Sequence, residues 1–284
     1  MLGALLIVFR EIIEAGLIVG IVLAATHGVA KRGLWVAGGV GGGVVGAGIV
    51  AIFAGGLASL FQGTGQELFN AAILFLAVAM LTWHNVWMAS HGRELSRELK
   101  VVGAEVSTGS KSLMALAVVV GVAVLREGSE VVLFLYGIAA QGGATGAGML
   151  VGGALGVLGG GLLSYLMYRG LLAIPAHRLF AATTGLITLL AAGLGAQAAA
   201  YLQQAGVINV LTTPLWDTSK ILSEGSTVGR LLKTIVGYTD RPDGLQLIVW
   251  LAIVAMMWVL MRVVNPKKPV AANAAAAIAP QPAE

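Results

Sequence analysis

Seven apolar stretches, each about as long as a bilayer is thick, dominate the chain: roughly 2–26, 34–57, 68–90, 113–140, 145–168, 179–203 and 245–264. A spanning helix needs about 20 mostly apolar residues. In hydrocarbon the backbone must satisfy its own hydrogen bonds, which leaves helices or closed barrels. These runs are continuously apolar rather than alternating, so they specify helices. The expected fold is all-α, a polytopic membrane protein with seven transmembrane helices. Composition agrees, with 58% hydrophobic and 11% charged residues and a mean hydropathy of +0.91, against about 25% charged in a soluble domain. The first run has no basic region before it and contains three charges, so it is expected to be a retained helix and not a cleaved signal. Cysteine is absent, which excludes disulfides, thiolate metal sites and cysteine nucleophiles.

Basic residues alternate from loop to loop. Lys31 and Arg32 follow the first helix, Arg93, Arg97, Lys100 and Lys111 the third, Arg169 and Arg178 the fifth, and Arg262, Lys267 and Lys268 the seventh. The positive-inside rule then puts the N-terminus outside and the C-terminus in the cytoplasm; the exception is the external 204–244 connection, whose Lys220, Arg230, Lys233 and Arg241 are offset by Asp217, Glu224, Asp240 and Asp243. The net charge of +4 is explained by this topology and gives no reason to expect nucleic acid. The expected organisation is a permease domain over 1–265. It comprises repeat one (1–90), repeat two (113–203), an external loop (204–244) and helix seven (245–264), followed by a disordered cytoplasmic tail over 266–284. The tail is Ala-rich with nothing to bury.

Two of the apolar runs carry matched charges. Arg10-Glu11-Ile12-Ile13-Glu14 lies in the first and Arg126-Glu127-Gly128-Ser129-Glu130 in the fourth, and both read R-E-x-x-E. Ionised groups at the centre of a bilayer cost about 2.5–3.5 kcal/mol each on insertion scales, so they mark function. The motifs are three helices apart, an odd number, so their helices run in opposite directions. Helices 1–3 and 4–6 are expected to form an inverted repeat, with helix 7 peripheral and the substrate site near the midplane between the halves. Helix 2 (Gly38, Gly39, Gly41, Gly42, Gly43, Gly46, Gly48) and helix 5 (Gly148, Gly152, Gly153, Gly156, Gly159, Gly160, Gly161) are both rich in glycine, which suits close helix packing in lipid.

Residues three apart share a helix face. Glu11 therefore points with Glu14, and Glu127 with Glu130, while Arg10 and Arg126 lie four residues before the second acid of each motif. Four carboxylates and two guanidiniums leave two negative charges in excess. A purely structural set of ion pairs would not need them; a multivalent cation does. Oxygen donors favour hard ions. Ferric iron suits such a site, and ferrous iron, manganese and magnesium are compatible with the ligand type. The predicted metal site is Glu11, Glu14, Glu127 and Glu130, supported by Arg10 and Arg126.

At these residues the chain resembles the oxidase-dependent iron permease family, in particular its bacterial EfeU-type branch. The family's marker is R-E-G-x-E in helices 1 and 4 of seven. Residues 126–130 match it fully, and residues 10–14 have Ile12 in place of glycine. The external stretches 215–219, 229–232 and 237–239 are similar to the bacterial branch as well. The resemblance implies uptake of iron across the cytoplasmic (inner) membrane of a bacterium. Iron would be the transported substrate with no tightly bound cofactor, carried by the four glutamates. It further implies ferric iron formed from ferrous iron by a separate oxidase, commonly a haem peroxidase-like protein, acting with a periplasmic iron-binding protein.

Accessory positions are Glu67 before the third helix, His84 within it, and Asp217 in the loop. Each has a simpler role available: a helix-dipole partner for Glu67, a helix–helix hydrogen bond for His84, and solvation for Asp217 together with Glu224, Asp240 and Asp243. Gln197, Gln203 and Gln204 are placed to line an outer vestibule. Trp83, Trp87, Trp216, Trp250 and Trp258 read as interfacial anchors, and residues 93–100 as a short solvated helix. A transporter of another divalent or heavy metal is the alternative function. An intramembrane enzyme is disfavoured because H-E-x-x-H, a Ser–Lys dyad and cysteine are all missing. A sensor would need a signalling surface that the short loops do not offer.

Overall fold

A computed structural model describes residues 1–60, 65–140, 145–171 and 176–264, without the side chains of 57–60, 93 and 176–182. The tail over 266–284 and the side chains of Arg93, His177, Arg178, Lys267 and Lys268 lie outside the described residues. The described chain is all-helical: α1 (Leu2–Ala25), α2 (Arg32–Leu60), α3 (Gln66–Ser107), α4 (Met114–Ala140), α5 (Gly146–Tyr168), α6 (Ala176–Gln204), α7 (Thr227–Val236) and α8 (Gly244–Val264). Five of these contain stretches apolar and long enough to cross a membrane: Arg32–Gly56, Gln66–Gly92, Gly146–Tyr168, Thr183–Gln204 and Gly244–Val264. α1 and α4 are comparably long, and each is interrupted by the three charges of its motif.

Two elements differ from expectation. The solvated segment at 93–100 is not a separate helix; it is the continuation of α3, which runs without a break to Ser107. Its Glu, Lys, Arg and Leu residues are good helix formers, so the helix does not stop where the apolar run does. The 204–244 loop contains α7. Ser226 caps that helix by accepting from Gly229 N at 2.9 Å, and Gly237 ends it at φ +75°, a left-handed conformation that favours glycine.

Helix pairing is reciprocal. α1 packs along α5, and α4 along α2; α3 packs on α6, and α1 crosses α4. Glycines set both long contacts. A Cβ on Gly156 would lie 2.8 Å from Val8 Cβ, and one on Gly160 2.8 Å from the Phe9 carbonyl oxygen. In the other pair, a Cβ on Gly39 would lie 2.5 Å from the Ala117 carbonyl oxygen, and one on Gly43 2.7 Å from Val124 Cβ. The isoleucine that replaces glycine in the first motif is accommodated in the same way. Ile12 faces Gly160 on α5, whereas Gly128 faces Ala47 on α2. The small residue has changed sides of the contact, and the helices stay close in both halves.

The interior has three layers. One apolar cluster gathers Ile7, Leu74, Leu81, Phe134, Leu194 and Met257. A second gathers Ile18, Val22, Val36, Leu99, Leu116 and Val120. On α1, α3 and α4 alike, the buried charged and polar residues fall between these clusters in sequence. The outward faces of α2, α5 and α8 expose large apolar side chains such as Val45, Ile52, Leu150, Leu158 and Trp258. A surface of this kind requires lipid around it. The loop is fastened over α6, where Gly237 Cα would lie 2.6 Å from a Cβ on Gly193. Trp250 Nε1 also donates to the Val236 carbonyl oxygen at 2.7 Å.

Candidate metal centre

The buried layer is built by α1, α3 and α4. Arg10, Glu11 and Glu14 come from α1, His84 and Asn85 from α3, and Glu127 and Glu130 from α4, all at most 9% exposed. The helix repeat puts each acid pair on one face, and the crossing of α1 with α4 brings the two faces together. Isolated buried charges are costly, so each must have a partner or a counter-ion.

Arg10 is the hub of the first half. Its Nη1 donates to Glu11 Oε1 at 3.1 Å, its Nη2 to Asn85 Oδ1 at 3.0 Å, and its Nε forms an ion pair with Glu14 Oε1 at 2.9 Å. In the second half Arg126 Nε donates to Glu130 Oε1 at 3.1 Å and lies 4.0 Å from Glu127 Oε1. The halves are unequal. The Arg10 side chain is 3% exposed and that of Arg126 35%. Arg126 also stacks on Trp87, its guanidinium carbon 4.4 Å from the ring centroid, a cation–π contact. Trp87 thus has a role beside the site that its expected place as an interfacial anchor did not include.

His84 joins the halves. Its Nε2 lies 3.0 Å from Glu14 Oε2, its Nδ1 faces Glu130 Oε2, and Arg126 Nη2 lies 3.5 Å from Nδ1. Glu11, His84, Glu127 and Glu130 each offer one ligand atom, and these atoms lie within 4.8 Å of one another. Among the described residues this is the one group of His and acidic side chains with metal-ligand spacing. Glu11 Oε2 and Glu127 Oε2 are buried there without a hydrogen-bond partner.

The remaining candidates lie elsewhere. Glu67 is exposed in the first turn of α3. Asp217 is exposed in the loop, where Ser219 donates to it from both its hydroxyl and its backbone N–H and Arg241 pairs with it at 3.0 Å. These contacts, the Ser219 hydroxyl first, hold the Asp217 carboxyl down at about 2. Glu224 is tied to Lys233 and Thr239. Asp240 accepts from Glu224 N, and Asp243 accepts from Gln246 N at the start of α8. The loop acids therefore hold the loop together. Gln197 lines a cavity of about 240 Å³ between α6, the loop and α8, and Gln203 bonds the Val210 carbonyl. The sequence understated Asn85 and His84. Their signal was present as Thr82, His84 and Asn85, three buried polar residues within an apolar run.

A helical bundle with an apolar outer belt and a buried, acid-rich polar layer at its centre defines a multi-pass membrane protein with an internal polar site. By sequence the chain belongs to the iron permease FTR1 family, whose model matches residues 1–266; permeases are transporters and not enzymes. It is similar to the ferrous iron permease EfeU of Escherichia coli O6:H1, 33% identical over 259 residues, covering 86% of this chain and 89% of that one. It is also similar to the ferrous iron permease EfeU of Yersinia pestis, 32% identical over 246 residues, covering 84% of each. No solved structure matches the chain.

Proposed function

We propose that this protein is an iron permease in which iron crosses through a midplane site lined by Glu11, Glu14, Glu127 and Glu130. The observation that carries the reading is the meeting of both R-E-x-x-E motifs in one buried layer with two negative charges in excess. Ionised groups this deep are maintained for function, and a multivalent cation offsets the excess charge. Family membership and the names of the relatives support iron as that cation. The reciprocal pairing of α1 with α5 and α4 with α2 supports an inverted repeat of α1–α3 and α4–α6, with α8 at the edge. The basic residues after α1, α3, α5 and α8 support an external N-terminus and a cytoplasmic C-terminus. The alternation of spans then leaves the 204–244 loop external despite its own Lys220, Arg230, Lys233 and Arg241, and family resemblance supports a bacterial inner membrane.

Family resemblance supports delivery of ferric iron by a partner. A haem peroxidase-like protein or another oxidase would take one electron from ferrous iron, and a periplasmic binding protein would hand the product on. The two apolar clusters on either side of the site support alternating access, each opening in turn. The test is uptake of labelled iron into proteoliposomes, ferrous against ferric, with and without a membrane potential. Wild-type protein is expected to take up iron, and Glu11→Ala and Glu127→Ala to abolish uptake. Uptake surviving both substitutions overturns the pathway, and uptake of another divalent metal in preference to iron would replace the substrate.

A further inference from the structure

We propose that His84 is a direct ligand of the transported ion through Nδ1, and that Glu14 is the group that orients it. This division of labour rests on the reading of the buried layer as the ion site, and it breaks the equivalence of the two motifs. Glu14 and Glu130 hold the same place in R-E-x-x-E, yet they face opposite nitrogens of one imidazole.

The contacts distinguish the two nitrogens. Arg126 Nη2 lies 3.5 Å from Nδ1, and a guanidinium only donates. With an ion bound, Nδ1 presents its lone pair to the ion and the ring proton is on Nε2, within hydrogen-bond reach of Glu14 Oε2 at 3.0 Å. A metal-bound histidine is typically held in this way, its second N–H given to a carboxylate that fixes tautomer and ring plane. Glu14 is suited to that task, because its other oxygen is in an ion pair with Arg10 Nε at 2.9 Å, and Arg10 is anchored on Asn85 Oδ1. Nδ1 faces Glu130 Oε2, which puts a ring nitrogen and a carboxylate oxygen side by side as donors to one ion. The atoms around that point include three buried carboxylate oxygens without a hydrogen-bond partner, Glu11 Oε2, Glu127 Oε2 and Glu130 Oε2.

The donor set becomes one nitrogen and three carboxylates. Imidazole suits iron, zinc, nickel and copper, whereas all-oxygen sites suit magnesium and calcium. His84 is thereby the residue that separates a transition-metal ion from the abundant Mg²⁺ and Ca²⁺.

The test uses the purified full-length protein with Mn²⁺ as a paramagnetic probe. Pulsed EPR of bound Mn²⁺ is expected to show nitrogen coupling from one imidazole, lost in His84→Gln. Glu14→Gln should keep the coupling and weaken Mn²⁺ binding by about 10–100-fold. Excess Mg²⁺ should leave anaerobic Fe²⁺ binding to the wild type intact and compete in His84→Asp, whose site is all oxygen. Mn²⁺ bound to the wild type without nitrogen coupling overturns the role of His84 and leaves the carboxylate site standing, whether or not the variants fold. A wild type that binds neither Mn²⁺ nor Fe²⁺ overturns the site itself.

Discussion

Removing Arg10 strands Glu11 in the interior and takes from Glu14 one of its two partners, whereas removing Arg126, the more exposed of the two, leaves Glu130 still facing His84. Breaking a buried ion pair by deleting one partner costs about 3–5 kcal/mol. Arg10→Ala is expected to lower stability by that amount in detergent unfolding, and Arg126→Ala by clearly less, because its side chain is a third exposed. Equal losses would mean that the two motifs are energetically equivalent after all. Outside the membrane spans, Asp217 is held at about 2, below its ordinary 3.8. A depressed carboxyl contributes fully above its unfolded value and loses that contribution as pH falls through the folded one. Asp217→Asn should therefore leave the pH profile of iron uptake unchanged between about pH 5 and 8; a profile that moves would give Asp217 a part in transport. The glutamates were legible in the sequence because charge in an apolar run is expensive. The place of His84 was not, because a single imidazole has several ordinary uses, and only the positions of Glu14, Glu130 and Arg126 around its ring distinguish them.

At the scale of helices, the exchange of small residues between the halves makes a specific prediction. Gly160→Ala puts a Cβ 2.8 Å from the Phe9 carbonyl oxygen and 3.0 Å from Ile12 Cβ, so it should separate α1 from α5 and reduce folded yield. Combining it with Ile12→Gly recreates the Ala47–Gly128 contact of the other half and is expected to recover part of the loss, measured by thermal unfolding. If the double variant is no better than Gly160→Ala alone, the two contacts are not interchangeable. Glycine content on the second and fifth runs announced close packing. It did not announce which glycines touch: Gly39 and Gly43 meet α4, whereas Gly38, Gly41 and Gly48 have nothing within 4 Å of a Cβ position. All seven long helices were legible from length and apolarity. The extension of α3 was hidden because the apolar run stops at charged residues, although Leu99 and Val106 beyond them return the helix to the second apolar cluster. α7 was missed inside its loop, although its Ser226 cap and Gly237 stop are ordinary sequence signals.

For the molecule as a whole, the buried polar layer sits between two apolar clusters, and on the proposed pathway passage of an ion requires each of these plugs to part. The chain has no cysteine, so single cysteines can report on each plug without background. Ile7→Cys and Val22→Cys, one in each cluster, are expected to react with aqueous thiol reagents from opposite faces of the membrane, and alternately as iron is supplied. Simultaneous labelling of both from one face would point to a continuous pore. A cysteine at Ser226 should react only from outside if the loop is external. α3 links these events. Forty-two residues at about 1.5 Å each give a helical path of about 63 Å, twice the hydrocarbon thickness. The helix contains no proline. Beyond Gly92 its far end is docked on the end of α1, where Ser107 Oγ donates to the Ala25 carbonyl at 3.1 Å. His84 is carried on this same helix, whose Leu99 and Val106 pack in the second apolar cluster, so a parting of that cluster would act on the imidazole and its contact with Glu14. One helix thus ties the movement of a plug to the setting of a buried ring.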